Sequence, residues 1–217
     1  YNRWAIPISE AKLDWDFPEG LKYRSNGHFS TSMQPSTLVM FGDSHIQAFG
    51  PRIVELYKRG STKEIAFVTE EGCAPIPQTY RREELIEKCT ANFANLKRVL
   101  ATNPVEAIIL GGSFSSYFSQ PKRSFFLQNN GARLSLQEPE GRDKASAAFY
   151  KFVKYLAEEY KVIVVSHSAS ARQFSPDEIL RSNYRTIPIT NNITNKAFTI
   201  DNKLEVEMEK WLAPLDV

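Results

Sequence analysis

The sequence predicts an α/β fold, a three-layer sandwich with a central parallel sheet and helices on both faces. Two observations carry this. Short apolar runs recur at 36–41, 64–69, 106–112 and 161–167, each long enough for a strand buried on both faces. The segments between them place apolar residues at helical spacing. Strands alternating with helices build parallel sheets, which carry their sites at the C-terminal ends of the strands.

The elements follow in order. Residues 1–36 lack clear periodicity, and Asp14, Trp15, Phe17, Pro18 and Gly20 suggest an irregular arm packed by its aromatics. "STLVMF" (36–41) ends at a glycine and reads as the first strand. A helix is expected over 45–59, with Pro51 kinking it or marking its true start. "EIAFVT" (64–69) is the second strand. Leu85, Ile86, Cys89, Phe93, Leu96 and Leu100 define a helix over 82–100. "EAIILGG" (106–112) is the third strand. Within the long segment 113–141, "SFFLQNNGARLSL" predicts a hairpin turning at Asn130-Gly131. Residues 143–160 read as a helix, with Ala145, Phe149, Phe152 and Leu156 on one face. "KVIVVSH" (161–167) is the fourth strand. A last helix is expected over about 190–212, ended by Pro214, and "LDV" looks like a fifth strand beginning. With no linker or repeat, residues 1–217 read as one domain.

The chain has 217 residues, enough to bury a sizeable core, with 42% hydrophobic and 24% charged residues. A formal charge of +2 is too small to argue for nucleic acid or an anionic membrane surface. No apolar run approaches the roughly 18 residues of a membrane span, and no signal peptide is visible. The chain opens without Met, so it reads as a mature form or an excised domain, and any membrane part would lie outside it. The two cysteines, Cys73 and Cys89, with only three scattered histidines, make structural zinc an unsuitable reading. Composition alone leaves open a disulfide or two buried thiols. There are no paired carboxylates and no phosphate loop, and no cofactor is implied. "NNIT" holds a glycosylation pattern at Asn192, without meaning in a bacterial protein.

The chemistry concentrates in "LVMFGDSHIQAFG" (38–50). An apolar strand leads into Gly42-Asp43-Ser44-His45 and then a helix. Structurally, Asp and Ser cap helices and Gly makes turns. Chemically, a serine at such a turn is an exposed nucleophile, provided a general base activates it.

"FGDSHIQAFGPRI" after an apolar run resembles the first block of the SGNH/GDSL hydrolase superfamily. More narrowly, it resembles the SGNH domain fused to acyltransferase-3 membrane proteins. "VTEEGCAPIP" (68–77) is similar to that family's second block. "CTANF" (89–93) resembles its second cysteine motif, and "AIILGGSFSSYF" (107–118) its third strand and following turn. The motifs span about 36–120; the rest matches by layout. The resemblance implies an SGNH/flavodoxin-like sandwich, a disulfide between Cys73 and Cys89, and an extracytoplasmic location, on the periplasmic or extracellular face of the bacterial inner membrane. It implies Ser44 as nucleophile, with the Ser44 and Gly72 N–H groups as oxyanion donors. Gly72 has a plain reading as a turn residue as well.

Two departures stand out. The superfamily's third block carries an Asn whose amide supports the oxyanion; here the stretch is Gly111-Gly112-Ser113-Phe114. Ser113 offers one donor and Phe114 stands where the fused subfamily often has Trp, though both also suit turn and packing roles. The family's base and its partner come from an Asp-x-x-His block after a fifth strand, and no such block occurs before Val217. Truncation ahead of that block is the favoured reading over lost chemistry. Among the histidines present, His167 ends the fourth strand and is a candidate base. His45 adjoins Ser44 and is assigned, with Asp43, to support of the turn. His28 is assigned a structural or exposed role.

The expected function is therefore transfer of an acyl group, acetyl above all, from an acyl donor to a bacterial surface polysaccharide such as lipopolysaccharide. The partner is a membrane acyltransferase domain of the same polypeptide, and no nucleic acid is involved. Segment 113–141 is read either as a groove for glycan or as cover for the sheet edge. The alternatives are a secreted carbohydrate esterase and a non-catalytic glycan-binding or scaffolding domain. A flavodoxin-like nucleotide-binding domain lacks its phosphate loop.

Overall fold

In the computed structural model, the described residues are 20–24, 27–60, 63–119, 125–165, 208, 210 and 212–215. The first helical crossover begins and ends in the middle of the sheet. β3 (Leu38–Gly42) lies between β4 (Ile65–Thr69) and β6 (Ala107–Gly111), parallel to both. β9 (Lys161–Val165) pairs parallel with β6. These correspond to the four predicted apolar runs, with bounds shifted by one or two residues; 166–167 of the last run lie outside the described residues.

The sheet is mixed rather than purely parallel. β1 (Lys22–Arg24) and β2 (His28–Ser30) extend it antiparallel, giving six strands in the order β1-β2-β4-β3-β6-β9. This corrects the expected irregular arm over its last part. Phe29 pairs with Phe67 of β4, and the rings of Tyr23 and Phe29 meet edge to face at 5.2 Å. Strands of three residues are too short for alternation to register in sequence.

Alternate residues of β3 face opposite layers, as the pleat requires. Val39 and Phe41 join a core containing Leu96, Val99, Phe149 and Val153. Those residues come from α3 (Ile86–Thr102) and α5 (Pro139–Ala157). Met40 faces the other layer with Ile46, Val54 and Phe67. Ile46 belongs to α1 (Ser44–Gln47) and Val54 to α2 (Gly50–Lys58). The expected helix over 45–59 is thus two helices, with Pro51 in the first turn of the second, where its missing N–H costs nothing.

Segment 113–141 holds α4 (Phe114–Ser119) and the hairpin of β7 (Phe126–Asn129) and β8 (Ala132–Ser135). Asn130 and Gly131 both take positive φ, 49° and 82°, as a two-residue hairpin turn demands. The hairpin does not join the main sheet. β7 pairs antiparallel with β5 (Thr79–Tyr80), making a separate three-stranded sheet. At the C-terminal end, Met208 and Leu212 are helical and pack into the larger core. Ala213–Leu215 form a 3-10 turn, so Leu215 does not begin a strand as "LDV" suggested; Pro214 cannot continue a helix or serve a sheet ladder. The rest of the expected helix 190–212, with Asn192, lies outside the described residues.

Candidate active site

The site grows from the C-terminal ends of β3, β4 and β6. Gly42 and Gly111 face each other across the β3–β6 ladder. A Cβ on Gly42 would lie 1.8 Å from the Gly111 carbonyl oxygen, so this crossing tolerates no side chain. The chain then turns at Asp43, which caps α1. Oδ1 of Asp43 accepts from the His45 N–H at 2.8 Å. Ser44 occupies the first helical position, half-buried, where backbone N–H groups have no partner within the helix.

Asp43 also reaches the turn after β6. Its Oδ2 accepts from the Ser113 N–H at 3.1 Å and, closely, from the Tyr117 hydroxyl. The Ser113 N–H is shared with Tyr117 Oη at 3.0 Å. Gly112 makes room for this knot, because a Cβ there would lie 2.3 Å from Tyr117 Oη. The Ser113 N–H is thus turned inward, and only its hydroxyl is left for a substrate. Phe114 is buried against Tyr117 and Phe149 and belongs to the core.

Burial is the largest influence on Asp43 and pushes its carboxyl upward. Hydrogen bonds and charge from His45, with the Tyr117 and backbone donors, outweigh it and hold the carboxyl below its ordinary range. His45 Nδ1 lies 3.4 Å from Asp43 Oδ1. Burial, then the Asp43 charge, raises the Tyr117 phenol well above its usual value, so Tyr117 stays a donor.

The loop after β4 supplies the opposite wall. Gly72 has φ +74°, a conformation that favours glycine. The next residue, Cys73, is bonded to Cys89 on α3, with both sulfurs buried beside Tyr80. This is the disulfide that the resemblance implied, and it fastens the Gly72 loop to the helix.

Asp43, Ser44, His45, Gly72, Ser113 and Tyr117 line one cleft of about 420 Å³. Of the residues singled out in the sequence, His167 lies outside the described residues. His28 is buried on β2, in the antiparallel extension of the sheet. Sequence reasoning missed Tyr117, whose partner stands 74 positions away; the only local signal was an aromatic on the turn of "GGSFSSYF".

A serine-bearing turn, a cleft at the strand ends and a disulfide-tied second loop are now assembled. A family model described as "SGNH domain (fused to AT3 domains)" matches residues 15–209. The chain belongs to this family. No curated protein and no solved structure matches it. Membership accords with the mixed, mostly parallel sheet flanked by helices on both faces, and supports a serine-hydrolase or acyltransferase type of site. No helix among the described residues is long and apolar enough to cross a membrane.

Proposed function

We propose that this SGNH domain transfers an acyl group to a surface glycan through an acyl-enzyme on Ser44. Family membership supports a role in membrane-linked O-acylation of a surface glycan. The observation that carries the finer reading is the convergence of Ser44, Gly72 and Ser113 on one cleft at the strand ends. Ser44 Oγ attacks the carbonyl carbon of the acyl donor and gives its proton to a base. The tetrahedral oxyanion is met by the Ser44 and Gly72 N–H groups, a preorganised arrangement that stabilises charge as it develops. The donor's leaving group departs with the proton. A glycan hydroxyl then attacks the acyl-serine, its proton passing through the base to Ser44. The ester bond to serine breaks and the ester bond to sugar forms.

Asp43 is unsuited to be that base, because its carboxylate is committed to two backbone N–H groups and Tyr117. The reading assigns the base to a histidine, from an Asp-x-x-His block of the full-length protein or His167. Its partners are a membrane acyltransferase domain that delivers the acyl group, and an extracytoplasmic polysaccharide that receives it.

Labelling of the full-length protein with a fluorophosphonate probe tests this. One adduct, lost in Ser44→Ala, is expected. Acyl transfer to a glycan, against release of free acid, then separates transferase from esterase. No adduct in the wild-type protein would leave a glycan-binding domain and overturn the proposal.

A further inference from the structure

A second cavity of about 480 Å³ lies beside the cleft. The two share Arg81 and Phe125 as lining, so they adjoin, one at Ser44 and the other beside the β7–β8 hairpin. Each exceeds the lower bound of roughly 300 Å³ for small-molecule sites. The second cavity is lined chiefly by charge rather than by open aromatic faces. Phe125 is buried, and Arg133 stacks its guanidinium over the Phe126 ring at 4.8 Å.

In the second cavity three arginines (Arg81, Arg82, Arg133) stand against two glutamates (Glu83, Glu84), while Asp43 and Glu71 line the first cleft with Arg81. Arg133 is paired with Glu83. Arg82 and Glu84 are both exposed, flanking Glu83 in sequence. Arg81 is half-buried at the junction of the two cavities, and no carboxylate pairs with it among the described residues. Its backbone follows Tyr80, which is anchored on the disulfide cluster and pairs with Phe126. A guanidinium lining a cleft without a carboxylate partner recognises carboxylate or phosphate in a forked, two-bond geometry.

We propose that the acceptor is an anionic glycan, and that Arg81 binds its carboxylate or phosphate while the neighbouring sugar presents a hydroxyl to the acyl-serine. The inference rests on the transferase reading and narrows its substrate class.

Titration calorimetry at low salt tests it with tetragalacturonate, phosphorylated maltotetraose and neutral maltotetraose. At least one anionic probe is expected to bind at least about tenfold more tightly than the neutral one, the size of one charge-assisted contact. Which anionic probe is tighter distinguishes carboxylate from phosphate. Arg81→Gln should erase most of the preference and Arg81→Glu should invert it. Equal affinity for all three, no measurable binding, or a preference that survives both variants would overturn the inference. Fluorophosphonate labelling of the wild-type protein separates the two failures. Labelling without anionic preference sinks only the acceptor assignment. Preference without labelling sinks the transferase reading, and with it the role of Arg81 in acceptor binding.

Discussion

The Tyr117 hydroxyl donates to Oδ2 of Asp43 across 74 positions of sequence, with both side chains buried. One carboxylate thereby joins the Ser44 turn to the turn after β6. Tyr117→Phe keeps the ring packing on Phe114 and Phe125 but removes this donor from a buried charge. The expected cost is about 2 kcal/mol. Urea denaturation checks it, as a lower midpoint with unchanged slope. An unchanged midpoint would show that the Tyr117 hydroxyl does not hold the two turns together.

Gly112→Ala should injure the same knot from the other side. Its Cβ would press on Tyr117 Oη at 2.3 Å and on Asp43 Cγ at 3.3 Å. Overpacking of this kind costs about 1–3 kcal/mol. The double variant Gly112→Ala with Tyr117→Phe should be less destabilised than the sum of the two, since the clashing hydroxyl is gone. A double-mutant cycle that adds exactly as independent sites do would reject the coupling.

Reduction of Cys73–Cys89 releases a loop closed over 16 positions, worth about 3 kcal/mol in the chain-entropy account. Dithiothreitol should lower the denaturation midpoint of the wild-type protein. The Cys73→Ser, Cys89→Ser variant should start low and show no response. A response in that variant would point to another cause.

Acid should weaken the fold in two stages. Burial, then the charges of Arg24 and Arg98, lowers the His28 pKa from 6.5 to about 4. Its Nδ1 has no partner among the described residues, which suits a neutral ring. The unfolded chain takes up a proton near pH 6.5 and the folded one does not until about 4. Stability is therefore full above that window and falls across it, by up to about 3 kcal/mol. Asp43 acts lower down: its depressed carboxyl stabilises above its ordinary value of 3.8, and that contribution is lost as pH falls below it. Denaturation midpoints from pH 7.5 to 4 check the first stage, and His28→Gln should flatten it.

What could be read in the sequence divides along physical lines. β3, β4 and β6 were legible because strands buried on both faces are continuously apolar, β9 because its run is apolar although Ile163 is exposed, and the Asn130-Gly131 turn because its backbone demands those residues. β1 and β2 were hidden by their brevity, and their sheet position comes from pairing with β4, a tertiary fact. The break between α1 and α2 was half-visible in Pro51. At the site, an aspartate reaching its own helix start is local and can be anticipated. Its second set of donors, Ser113 and Tyr117, arrives only when β3 and β6 lie side by side. The disulfide was open on composition and came from the family resemblance.

The meeting of Gly42 and Gly111 has a consequence for how such a protein can diversify. Just beneath Ser44, a Cβ on Gly42 would run into the Gly111 peptide at 1.8 Å, so position 42 admits no side chain that could be exchanged. That footing is fixed by geometry and is closed to stepwise variation. Changes of acyl group or acceptor must therefore come from the rim, where Gln47, Glu71 and Arg81 stand at the cleft on separate segments. Relatives with new specificities would keep an unaltered floor under a restless border, and saturation libraries aimed at retuning the domain belong on those rim positions.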